Sequence, residues 1–248
     1  MHESIIAPPT EPRATRGSDR LPRKLNKWHL LSGALALLVA IPLLVVISGW
    51  LKPETEIWSH LADTVLNQLV INTIKLIIGV GIGVVILGVS LAWLTARCEF
   101  PGRQWFDWLL MLPMAMPAYV LAFVAIGLLD FSGPVQTFLR DWFGSNNIWF
   151  PEIRSTGGLI SVMVIAFYPY VYMMARTAFL TQGRSTLEAA RMLGLGPYSV
   201  FWRIALPMAR PAIAGGTALA LMETLADFGT VATFNYDTFT TAIYKAWF

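Results

Sequence analysis

A single cysteine, Cys98, in a chain of 248 residues leaves no internal disulfide to build. Three histidines, His2, His29 and His60, are scattered at no ligand spacing, so no metal centre is assigned. The phosphate-cradling sequence G-x-x-x-x-G-K-[ST] does not occur, and no nucleotide site is read in this chain. Charged residues amount to 13%, well short of an ordinary soluble surface. These gaps argue against a disulfide-stapled domain, a metalloenzyme and an ATPase.

What the chain has in quantity is apolar: 56% of residues are hydrophobic. They fall in blocks near the roughly 20 residues that cross the hydrocarbon as helix. The blocks are Trp28 to Trp50, Ile71 to Ala96 with Lys75 inside it, Trp108 to Leu129, and Gly158 to Ala175 extending to Thr181. A fifth follows Pro211, placed as a first-turn proline, and runs to about Thr230, with a further span beginning near Ile243. The predicted fold is all-α, a polytopic helical membrane protein.

Orientation follows from the basic residues, which stay on the cytoplasmic side. Thirteen of the eighteen Lys and Arg fall in the segment before Trp28, beside Arg97 and Arg103, or between Arg176 and Arg210. Lys52, Lys75, Arg140, Arg154 and Lys245 fall at the other side or at outer span ends. The N-terminus is therefore expected in the cytoplasm. Residues 1–27 read as a polar tail, 28–50 as an uncleaved anchor, and 67–248 as the main domain. Trp142, Trp149 and Phe150 read as interface aromatics of an outer connection.

One cytoplasmic stretch, EAARMLGLGPYSVFWRIALP from Glu188 to Pro207, is too polar to span and too patterned for a slack loop. Ser185 and Glu188 form a capping box that starts a helix at Thr186, and Gly194 supplies the left-handed residue that ends it. Gly196-Pro197 restarts the chain as a second short helix, expected to run to Ala205 and to stop at Pro207. Leu187, Ala190, Leu193, Tyr198, Phe201 and Trp202 give it apolar surface. Two readings fit: an amphipathic segment on the membrane surface, or a docking knob for a cytoplasmic partner.

Here the sequence resembles a known family. Glu188-Ala189-Ala190, Gly194 and Ile204-Ala205-Leu206-Pro207 reproduce the spaced EAA motif of binding-protein-dependent ABC importer permeases. The resemblance extends from about Leu69 to Phe248. RCEFPGR, LPMAMPAYVLAF and METLADFGTVATFNYDTFTTAIYKAWF resemble the ferric-iron type, which carries two homologous halves in one polypeptide. It implies a type I transmembrane domain whose segment 185–207 is a coupling helix for an ATP-hydrolysing subunit. It further implies a periplasmic solute-binding protein, a second permease half, a bacterial inner membrane, and ATP with magnesium on the ATPase rather than on this chain. One EAA loop is present, so the expectation is a first half, a split subunit or a truncated chain. Ferric iron is the implied cargo, with thiamine or a polyamine as alternatives.

Ionisable groups inside spans are costly and face a cavity or a partner. Glu223 and Asp227, four residues apart, are expected on one helix face as a substrate path. The competing reading pairs Asp227 with Lys75, which otherwise snorkels outward. Pro113, Pro117 and Pro169 shape their helices, and the glycines of IGVGIGVVILG serve close helix packing rather than phosphate binding. A membrane enzyme would need clustered catalytic groups, and a passive channel would need polar repeats; neither is seen. A simple membrane anchor would not need the EAA spacing, and nucleic acid is not an expected partner.

Overall fold

The computed structural model describes residues 27–49, 64–144, 149–182, 192 and 194–247. Among them there are helices and turns and no strand. Two units are distinct: Met1–Trp58 and Ser59–Phe248. In the first, α1 (Lys27–Gly49) is one apolar helix whose described side chains are nearly all exposed, as suits a helix whose solvent is lipid.

The second unit is built on α2 (Leu66–Arg97) and α6 (Thr156–Thr181). On α2, Leu76, Val80, Val84 and Gly88 recur every four residues and form one buried face. On α6, Leu159, Met163, Val171, Tyr172 and Phe179 are buried. Lipid is as apolar as these side chains, so the helices hold together by close packing and hydrogen bonding rather than by escape from solvent. The α2 glycines serve that contact: a Cβ at Gly88 would stand 2.8 Å from the Val171 Cβ, and one at Gly83 would collide with the Val164 side chain. Ser155 caps α6, its Oγ accepting from the Gly158 N–H at 3.2 Å.

The third span is not the single helix from Trp108 that the apolar run suggests. The chain forms α3 (Arg103–Leu109), a 3₁₀ turn (Leu112–Ala115) and then α4 (Ala118–Leu129). Pro113 has no N–H for the Leu109 carbonyl, and Pro117 forces Met116 into extended backbone at φ −107, ψ 131. After a turn at Asp130, α5 (Pro134–Phe143) follows, with Pro134 in its first turn. By length and composition the stretch Ala118–Phe143 is the third of five candidate spans.

The last span also differs. Pro207 does not stop the short helix α7 (Pro197–Val200): a π turn (Phe201–Ala205) carries it directly into α8 (Leu206–Ala226). The Leu206 N–H reaches back five residues to the Phe201 carbonyl, so the wide turn absorbs the break and Pro207 falls in the first turn of α8. Pro211 consequently lies inside that helix. The helix ends at Ala226 rather than near Thr230, because Asp227 turns the chain and caps α9 (Phe228–Thr233). A final α10 (Phe239–Trp247) follows, its Phe239 N–H donating to Thr73 Oγ1 on α2 at 3.4 Å.

Candidate functional site

Of the EAA segment, Glu188, Ala189 and Ala190 lie outside the described residues, as does the expected capping box at Ser185. Gly194 has φ +82 with open space around it, so its backbone angle and not crowding selects glycine, in keeping with a helix-ending residue. Beyond it the segment has two faces. Val200 and Ala205 are buried, while Tyr198 and Trp202 are 75% and 52% exposed with their rings 6.2 Å apart. Ile204, Leu206 and Pro207 are half-buried at the root of the segment.

That root is tied to the bundle by contacts that no sequence pattern marks. Arg97, ending α2, donates through Nη2 to the Phe179 and Gln182 carbonyls, the latter at 2.9 Å, and so caps the orphan carbonyls at the end of α6. Gln182 in turn donates from Nε2 to the Ala205 carbonyl at 2.8 Å, buried. Trp93 packs edge-on to Phe179 at 5.3 Å and against Phe201 at 4.9 Å. Three helix ends therefore meet at the base of this segment. A basic residue and an amide at two helix ends were the available hints, and neither names a partner 82 or 23 residues away.

The broken third span is docked on α6 as well. Arg176 pairs with Asp107 at 2.9 Å, the Tyr168 hydroxyl donates to the Leu110 carbonyl at 2.8 Å, and the Tyr172 hydroxyl to the Asp107 carbonyl at 3.3 Å. The two tyrosine hydroxyls supply donors to backbone carbonyls at and beside the break.

Above this region a cavity of about 280 Å³ is lined by Met114, Met116, Pro117, Phe167, Tyr170 and Glu223, among others. Glu223 is half-buried and makes no ion pair among the described residues. Asp227 does not share this site. Its carboxylate accepts from the Thr230 N–H at 2.8 Å and from Thr230 Oγ1 at 2.5 Å, which consumes it as a cap and breaks the expected common face. Lys75 is exposed on α2, and no ion pair joins it to Asp227. In the connection around Asp130, Arg140 stacks over Phe131 at 4.4 Å and Arg154 pairs with Asp130 at 3.3 Å. Trp142 and Trp149 nearby are 74% and 87% exposed. No group of three or more His, Cys, Asp or Glu side chains fit for a metal occurs among the described residues.

Five apolar candidate spans among the described residues, a proline-broken helix beside a cavity and a projecting segment clamped at its root fit a polytopic membrane permease. Residues 84–245 match the family described as binding-protein-dependent transport system inner membrane component, and the chain belongs to that family. It is 30% identical over 230 residues to the Fe(3+)-transport system permease protein FbpB 2 of Haemophilus influenzae, covering 91% of this chain and 41% of that one. It is 33% identical to the molybdenum transport system permease protein ModB of Escherichia coli, over 59% of this chain and 62% of the relative. With the sulfate transport system permease protein CysW of Escherichia coli it shares 29% identity over 86% of this chain and 73% of that one. The chain thus spans under two thirds of the length of the first two. A crystal structure of a bacterial alginate ABC transporter, bound to a periplasmic protein carrying alginate pentasaccharide, superposes with TM-score 0.55. That match covers 84% of this chain and 82% of the other at 18% identity, and it bears on the fold alone.

Proposed function

We propose that this chain is the transmembrane permease subunit of an ATP-driven, binding-protein-dependent importer of the bacterial inner membrane, with ferric iron as its cargo and its N-terminus in the cytoplasm. The observation that carries the reading is the clamped segment after Gly194, whose outer face presents Tyr198 and Trp202 while its inner face is locked through Ala205 to α6. A surface-lying amphipathic loop has no need of such a root. A part that passes force does.

In this reading Glu188, Ala189, Ala190 and Gly194 shape a coupling helix that docks on a cytoplasmic ATPase, which holds ATP and magnesium, while Ile204, Leu206 and Pro207 join it to α8. Closure of two ATPase subunits moves the helix, and the bundle rotates between inward and outward openings against a second permease half. A periplasmic binding protein delivers cargo at the side of Trp142 and Trp149. Iron is favoured by the resemblance of residues 222–248 to ferric-iron permeases and by the likeness to FbpB 2. Gentle purification of the natively tagged chain from its own membranes, followed by intact-mass analysis, tests the reading. A bound ATPase is the expected result, and its consistent absence overturns the proposal.

A further inference from the structure

We infer that the cavity at the Met114–Pro117 break is a transit site for cationic cargo, with Glu223 and Tyr170 as the groups that meet it, and that it disfavours oxyanions such as molybdate and sulfate. The inference rests on the importer reading and specifies the chemistry of its path.

Three independent features converge on this place. First, it lies at membrane depth. Tyr170 precedes Gln182 by twelve residues, roughly 18 Å along α6, and Glu223 follows Arg210 by thirteen, roughly 20 Å along α8, against a hydrocarbon core of about 30 Å. Secondly, irregular backbone at such depth persists where it is buried in protein or lines a water-filled cavity. Met114 stands three residues before Pro117, which has no N–H, so the Met114 carbonyl has no 3₁₀ donor there. Thirdly, Glu223 is an intramembrane carboxylate with no ion pair among the described residues. Such a group is expensive in a span, and where it faces a cavity, as Glu223 does, it marks a path for substrate or ions.

The sign of the site follows from its lining. Its lining residues carry a carboxylate, a phenol and the thioethers of Met114 and Met116; among the described residues no Lys or Arg borders it. Oxygen donors suit hard cations. The N-terminus of α4 at Ala118 also borders the cavity, but its partial charge of about half a unit is smaller than the full negative charge of Glu223. An oxyanion would meet that charge with no counter-cation among the described residues that line the cavity. At about 280 Å³, against about 30 Å³ per water, the space admits a cation with part of its hydration shell.

The test uses the full transporter, purified with its ATPase and binding protein and reconstituted in vesicles. ATP-dependent uptake of ferric iron, spermidine, molybdate and sulfate is measured beside ATP hydrolysis. The native protein is expected to carry a cation and to exclude both oxyanions. Glu223→Gln should lower cation uptake roughly tenfold or more while ATP hydrolysis stimulated by the loaded binding protein persists, and Glu223→Asp should keep more uptake than Gln. Undiminished uptake in Glu223→Gln, uptake of neither cation, or preference for an oxyanion overturns the site. Should Glu223→Gln fail to retain its ATPase, Tyr170→Phe decides: a several-fold fall in cation uptake supports the site, and unchanged uptake counts against it. If no ATPase accompanies even the native chain, it is the importer reading that fails.

Discussion

The side-chain amide of Gln182 donates to the Ala205 carbonyl at 2.8 Å, joining the end of α6 to the π turn at the root of the segment that follows Gly194. In the same place the Gln182 carbonyl accepts from Arg97 at 2.9 Å, so one residue links three helix ends. Removing the amide takes one hydrogen bond from a buried carbonyl, a loss of about 0.5–1.5 kcal/mol. Gln182→Leu should therefore lower the ratio of solute transported to ATP hydrolysed more than it lowers either thermal stability or ATPase docking. Equal losses in all three would reduce this contact to a structural one.

Gly194 holds φ +82, where a side chain costs roughly 1 kcal/mol or more. Gly194→Asp should leave the bundle inserted and reduce the ATPase recovered with it. An undiminished yield of ATPase in co-purification would contradict the assigned turn.

The helix glycines divide by what faces them. A Cβ at Gly83 meets Val164, whereas Gly127 on α4 has nothing within 4 Å. Gly83→Val should destabilise the chain in detergent by about 1–3 kcal/mol through overpacking. Gly127→Ala should be neutral or stabilising by up to about 1 kcal/mol, since alanine restricts the unfolded backbone. Thermal unfolding of the two variants gives the comparison, and a reversed order would refute the α2–α6 packing.

Asp227 serves as a cap through Thr230. Asp227→Ala should cost about 1 kcal/mol, and Asp227→Asn, which keeps an accepting oxygen, should cost less. Cargo uptake should follow stability in both. A loss of uptake in Asp227→Asn at unchanged stability would restore Asp227 to the path.

Span number and the helical class were legible because long apolar runs dominate every local signal, and the glycine-rich face of α2 was legible because small residues recur at helical spacing. The left-handed Gly194 followed from its place between an expected helix and Gly196-Pro197. The breaks were harder. An unbroken apolar run from Trp108 hid the stop at Pro113 and Pro117, since hydropathy does not register a missing N–H. Spacing of four put Glu223 and Asp227 on one face on the assumption of a continuous helix, and a local side-chain bond to Thr230 ended that helix first. The Arg97–Gln182–Ala205 clamp joins residues far apart in the chain to backbone oxygens, which carry no residue identity for a sequence pattern to detect.

The π turn that merges α7 into α8 has a consequence for the size of the stroke. From Pro197 to Ala226 the chain is continuously helical: Pro197 and Pro207 sit in first turns where an N–H is dispensable, and Pro211, inside α8, leaves the Pro207 carbonyl without its helical donor. Glu223 lies 26 residues from Pro197, so roughly 39 Å of near-continuous shaft separates the exposed aromatics from the cavity. A tilt of about 10° at the foot of such a shaft displaces its far end by roughly 7 Å, more than a full helical turn of rise. In the proposed importer, a small angular change at the exposed foot would thus become a displacement of several ångströms at the cavity.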